Sequence, residues 1–138
     1  MGHLTKQEKG AIPTLTRAEE EVMQILWKKE KGLIHDLLAE FTEPRPAYNT
    51  VSTIVRILEQ KGFVSHKAYG RTHEYFPLIS RKDYLRASFR GLVQNYFGNS
   101  YRSLASFFAS GEQVSLKELE EIRKAIDEEI TKKREEGS

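Results

Sequence analysis

Tyr48-Asn49-Thr50-Val51-Ser52-Thr53-Ile54-Val55-Arg56-Ile57-Leu58-Glu59-Gln60-Lys61-Gly62 carries two patterns at once. Val51, Ile54, Val55 and Leu58 recur at the steps of a helix with one apolar side buried. Asn49, Ser52, Thr53, Arg56 and Gln60 fall at i, i+3, i+4, i+7 and i+11, so a single polar stripe carries them all. A solvent-facing stripe is commonly rich in Glu and Lys, yet the only acid here is Glu59. These side chains instead suit base edges and phosphates: Asn or Gln pairs with adenine, Arg with guanine, and Ser or Thr with several partners. The helix starts at Tyr48 or Asn49 and ends at Lys61, with Gly62 as its stop. Asn49 keeps two readings, as a base contact or as the N-cap whose side chain bonds the backbone.

On the N-terminal side, a shorter helix is expected from Leu33 to Phe41, turning Ile34, Leu37, Leu38 and Phe41 inward. Pro44 and Pro46 stop it and make an extended connection. Before it, Thr16-Arg17-Ala18-Glu19 reads as a capping box. The helix it opens should bury Leu15, Ala18, Val22, Ile25 and Leu26, with Trp27 in the core and Gly32 as its break. On the C-terminal side the period changes: Val64 to Tyr69, a turn at Gly70-Arg71-Thr72 and a return over His73 to Phe76 predict a β-hairpin closed by Pro77. Three helices followed by a hairpin is the winged helix-turn-helix order. In that arrangement the third helix enters the major groove, the second crosses the backbone, and the hairpin tip meets phosphates or the minor groove. The candidate DNA-binding residues are therefore Asn49, Thr50, Ser52, Thr53, Arg56, Lys67 and Arg71.

The rest of the chain reads as helix. Ser80 to Asp83 opens one helix whose apolar face is Leu85, Phe89, Leu92, Val93 and Tyr96; Leu104, Phe107 and Phe108 lie on a short second helix ending at Gly111. Ser115 to Glu118 caps a third, with the stripe Leu116, Leu119, Ile122, Ile126 and Ile130 and an end, Lys132 to Glu136, expected to fray. The fold class is thus mainly α with a small β-hairpin wing. Residues 1–13 form a flexible arm, 14–79 the winged helix and 80–138 a helical dimerisation region. Below ~60 residues a core is marginal, so this last region should pair with a second copy. Leu92, Tyr96, Leu104, Phe108, Leu119, Ile122 and Ile126 are the candidate dimerisation residues. A two-fold dimer would set two recognition helices on a palindromic site.

Charge supports a polyanion partner locally and not globally. The 22 basic and 20 acidic residues nearly cancel over the 138-residue chain. From Pro44 to Lys82, however, Arg45, Arg56, Lys61, Lys67, Arg71, Arg81 and Lys82 face only Glu59 and Glu74. The bland alternative is a solvated face with no partner. No cysteine is present, which removes disulfides, thiolate catalysis and thiolate metal sites and fits a cytoplasmic location. No apolar run is long enough to span a membrane, and no signal-like segment opens the chain. The histidines His3, His35, His66 and His73 are scattered, without acids at ligand spacing. His66 and His73 could meet across the hairpin and hold a metal, but a polar wing surface explains them more simply. No catalytic residues, cofactor or metal are expected, and an enzyme is disfavoured. The remaining rival is a winged helix used only for protein contacts.

With these residues in place, the chain resembles the penicillinase-repressor family. Leu15 to Trp27 is similar to that family's opening signature, Thr50-Val51-Ser52-Thr53 through Gly62 to its recognition helix, and Gly70-Arg71-Thr72-His73-Glu74-Tyr75-Phe76-Pro77-Leu78 to its wing. Ser103-Leu104-Ala105-Ser106-Phe107-Phe108 runs in register with its tail. The resemblance implies a homodimeric repressor of operator DNA. It also implies inactivation by cleavage in the dimerisation region, under a membrane sensor with a zinc peptidase domain. Copper-responsive members use C-terminal cysteines, which this chain lacks. Two positions depart from the pattern. The arginine that often precedes the leucine matching Leu58 is replaced by Ile57, with Arg56 one place earlier. The bond matching the family's asparagine–phenylalanine cleavage site is Phe107–Phe108.

Overall fold

A computed structural model describes residues 12–137, so the arm expected over 1–13, His3 included, lies outside the described residues but for its last two positions. The elements are α1 (Arg17–Lys29), α2 (Ile34–Leu38), α3 (Tyr48–Gln60), β1 (Val64–Tyr69), β2 (Thr72–Pro77), α4 (Arg81–Tyr96), α5 (Tyr101–Ser110) and α6 (Leu116–Gly137). The chain divides into two compact units between Phe89 and Arg90, inside α4. That division lies later than the expected start of the C-terminal region, because Tyr84 on α4 belongs to the first core. Its hydroxyl accepts the Leu15 N–H at 3.1 Å, and its ring lies 5.9 Å from Trp27 and 5.8 Å from Phe63.

In the first unit, α1 starts where its capping box predicts. The Thr16 hydroxyl accepts from the Glu19 N–H at 3.1 Å, and the Glu19 carboxylate accepts from the Thr16 N–H at 2.9 Å. The buried side of α1 is Glu19, Val22, Met23 and Leu26, so Met23 occupies core where Ala18 was expected, and Ala18 is exposed. Gly32 is not the break. Glu30 ends α1 with φ 75°, and Gly32 pairs with Tyr75, donating at 2.9 Å and accepting at 2.8 Å. α2 is shorter than expected and starts as Asp36 accepts the Leu33 N–H at 2.9 Å.

α3 buries Val51, Val55 and Leu58 against α1 and α2, with Ile54 packed at the edge. It ends in a Schellman motif. Phe63 N–H bonds the Leu58 carbonyl at 2.9 Å and Gly62 N–H that of Glu59 at 3.1 Å, while Gly62 takes φ 87°, where a side chain would be strained. Phe63, delivered by that turn, is fully buried. The hairpin is antiparallel, with Val64 opposite Pro77 and Tyr69 opposite Thr72. Its turn is therefore only Gly70-Arg71, and Thr72 belongs to the strand. Gly70 has φ 68°, a positive angle at the first turn position alone, as in a type II′ turn. Trp27 is half-buried, its indole N–H donating to the Ile79 carbonyl at 2.9 Å.

The second unit holds the end of α4, α5 and α6. Val93 is buried, and Phe97 lies 5.5 Å from Phe107. Ser100 caps α5 by accepting the Ser103 N–H at 3.0 Å, and Ser115 and Glu118 form a reciprocal cap on α6. The end expected to fray is helical through Gly137. No residue of α5 or α6 is buried among the described residues. Leu104, Phe108, Leu119 and Ile122 are half-buried, while Leu92, Tyr96, Phe107 and Ile126 are exposed. No helix among the described residues is long and apolar enough to cross a membrane.

Candidate nucleic-acid interface

α3 begins at Tyr48 with Ala47 as its N-cap, and no side chain bonds the cap. Asn49 is therefore not the cap, and it is exposed in the first turn of the helix. Asn49, Thr50, Thr53, Arg56 and Gln60 are exposed and Ser52 is half-buried. Their side chains make no hydrogen bond or ion pair among the described residues. Such a row, held on a helix and without hydrogen-bond partners among the described residues, is a surface able to pair with base edges and phosphates.

The hairpin brings a second group of side chains beside that row. Strand alternation sets His66, Ala68, His73 and Tyr75 on one face and Ser65, Lys67, Glu74 and Phe76 on the other. The first face and the flank of α3 enclose a cleft of about 520 Å³, lined by His35, Tyr48, Ser52, Arg56, Arg71 and His73 among others. Of the residues expected to touch DNA, the structure gathers Ser52, Arg56 and Arg71 here. Asn49, Thr50 and Thr53 stay on the open face of α3. Lys67 lies on the far face of the hairpin, opposite Glu74 and 5.4 Å over the Tyr69 ring. His35 and Tyr48, whose rings lie 4.8 Å apart, had no sequence pattern to announce them.

The hairpin histidines do meet. Their rings stack with centroids 4.1 Å apart and planes 11° from parallel, and His66 Nδ1 lies 2.6 Å from Glu59 Oε2. Parallel rings present faces to each other, not converging lone pairs. No group of three or more His, Cys, Asp or Glu could hold a metal among the described residues. Burial, the nearby Glu59 charge and Tyr48 raise the Tyr75 hydroxyl above its ordinary 10.0, against the opposing pull of Arg56.

Two members of the expected basic surface serve the fold. Lys61 Nζ reaches Glu19 Oε1 at 2.7 Å, and Arg45 pairs with Glu43 at 3.4 Å. Glu19 is buried, which by itself would raise its carboxyl; the Lys61 ammonium and the Thr16 N–H outweigh that and hold it below 4.5. The cations left to the cleft are Arg56 and Arg71.

A three-helix core, an open polar third helix and a hairpin folded beside it define a winged helix-turn-helix protein. A family model described as penicillinase repressor matches residues 15–128. The chain is 26% identical over 125 residues to the penicillinase repressor of Bacillus licheniformis, covering 90% of this chain and 98% of that protein. It is 25% identical over 114 residues to the methicillin resistance regulatory protein MecI of Mammaliicoccus sciuri, covering 82% and 93%. The solution structure of the DNA-binding domain of the repressor BlaI aligns with a TM-score of 0.47 at 31% identity, over 53% of this chain and 90% of that one. The chain belongs to the penicillinase repressor family.

Proposed function

We propose that this protein is a transcriptional repressor that binds operator DNA through α3 in the major groove, with the hairpin against the adjoining backbone. The observation that carries the reading is the open face of α3, whose amide and hydroxyl groups make no hydrogen bond among the described residues. Family membership points the same way, since relatives matched over most of their length are named a penicillinase repressor and a methicillin resistance regulatory protein. The protein acts as a homodimer in the cytoplasm, without catalysis. Dimerisation is supported by the second unit, where Tyr96, Phe107 and Leu116 expose 76%, 68% and 72% of their surfaces. The division of labour follows the two units, DNA reading in the first and pairing in the second.

Release from DNA by a cut at Phe107–Phe108, under a membrane sensor peptidase, is the regulatory half of this reading. Both residues lie in the last turns of α5, before Ser110 and the Gly111 that follows. A peptidase needs extended substrate, so this end of the helix must open first. Selection of bound fragments from a random duplex pool, followed by a gel shift with competitor DNA, tests DNA recognition. A palindromic consensus is expected. Recovery of no enriched sequence would favour the rival, a winged helix used for protein contacts alone.

A further inference from the structure

The cleft between α3 and the hairpin has a chemistry that the open face of α3 lacks. His35, Tyr48, Ser52, Arg56, Arg71 and His73 all carry groups able to donate a hydrogen bond, and no carboxylate lines the cleft. Glu59 is engaged by His66, one imidazole behind His73, and Glu74 lies on the opposite face of the hairpin against Lys67. The cleft is therefore a donor-rich concavity holding two guanidinium groups. Ser52 and Arg56 stand one helical turn apart on the side of α3 nearest the hairpin. Asn49, Thr53 and Gln60 do not line the cleft. Contacts that position a duplex and contacts that read it are thus separated around the helix.

We propose that this cleft seats one backbone phosphate of duplex DNA, with Arg56 and Arg71 as permanent cations and His73 as a third, gained by taking up a proton as the phosphate enters. The proposal rests on the DNA-binding reading and deepens it. It moves Arg56 from base reading to phosphate holding. The groups facing His73 are His66, stacked at 4.1 Å; Tyr75, with its ring 6.2 Å away; and, across the cleft, Arg56, Arg71, His35 and Tyr48. A phosphate seated between the two guanidinium groups would favour the protonated ring and accept its N–H. Histidine is the side chain whose ordinary titration brings such a step into the neutral range.

The test is fluorescence anisotropy of a labelled random-sequence duplex with the full chain, at fixed salt, from about pH 8 to about pH 6. Affinity should rise as pH falls, by up to about tenfold per unit for one proton taken up. His73→Gln should flatten this slope without shifting the thermal midpoint, and Arg71→Gln, at the exposed turn, should weaken binding and lower the salt slope by about one. A slope unchanged in His73→Gln, or absent from the unsubstituted protein, overturns the phosphate seat and leaves the DNA reading intact. Failure to bind any duplex at any pH overturns both. Ring resonances of His73 that move with inorganic phosphate but not with duplex would assign the cleft to a free anion and overturn the proposal.

Discussion

Replacing Lys61 by alanine strips the ammonium from a carboxylate that is 6% exposed. Glu19 would keep the Thr16 N–H at 2.9 Å but lose its opposite charge at 2.7 Å. Removing one member of a buried pair costs ~3–5 kcal/mol. The Lys61 side chain retains 30% of its own exposure, so water partly compensates and about 2–3 kcal/mol is expected at neutral pH. The loss should be pH-dependent. The folded carboxyl sits below 4.5, so the pair's contribution is complete above that value. It fades as the pH falls through the lowered folded value. Urea denaturation of the wild type and Lys61→Ala at neutral and strongly acid pH should show a gap that closes in acid. Adding Glu19→Gln should recover part of the loss, a coupling of about 1–2 kcal/mol. A neutral-pH gap below ~0.5 kcal/mol, or one that persists unchanged in acid, would show that the pair does not hold α1 to the end of α3.

Four further outcomes follow from other parts of the molecule. Gly70→Val places a β-branched residue at φ 68° and should cost about 1–2 kcal/mol in urea denaturation; an unchanged midpoint would refute the turn geometry. Thr53→Ala should lose ~1–3 kcal/mol on the selected duplex and little on random duplex. Arg56→Gln should weaken both by the same factor, and the opposite pattern would restore Arg56 to base reading. Sedimentation velocity should give a two-chain mass for the intact protein and a one-chain mass after truncation following Ser110; a monomeric intact chain at micromolar concentration would refute pairing through the second unit.

Periodic signals make much of the first unit legible from its residues alone. The α3 stripe, the α1 capping box and the glycine after α3 each have a local physical cause, so a short window reveals them. What escapes the sequence depends on distant partners. Met23 displaces Ala18 from the core because the buried side of α1 is turned to admit Glu19, and Glu19 is buried because Lys61 meets it from the end of α3. In the sequence, Lys61 therefore reads as surface charge. Gly32 reads as a helix breaker because its partner, Tyr75, lies beyond α3 in β2. His35 and Tyr48 reach the cleft only after α2 and α3 fold together. The residues of the second unit are legible as helices with apolar stripes. What covers those stripes is not written in a single chain's periodicity.

The bridge between Gly32 and Tyr75 changes what kind of object the hairpin is. Two strands joined by a tight turn would behave as a cantilever, fixed at the root and free to swing. The paired hydrogen bonds of 2.9 and 2.8 Å make a brace from the α1–α2 connection to the strand leading away from the tip. A Cβ added at Gly32 would stand 3.3 Å from that of Asp36, which also anchors the start of α2, so a side chain at this position would crowd the foot of the brace. Pitch of the hairpin against α3 is then governed from a loop that lies outside the open face of α3. Lengthening that loop by one residue would re-aim the whole grip while leaving every fingertip in place.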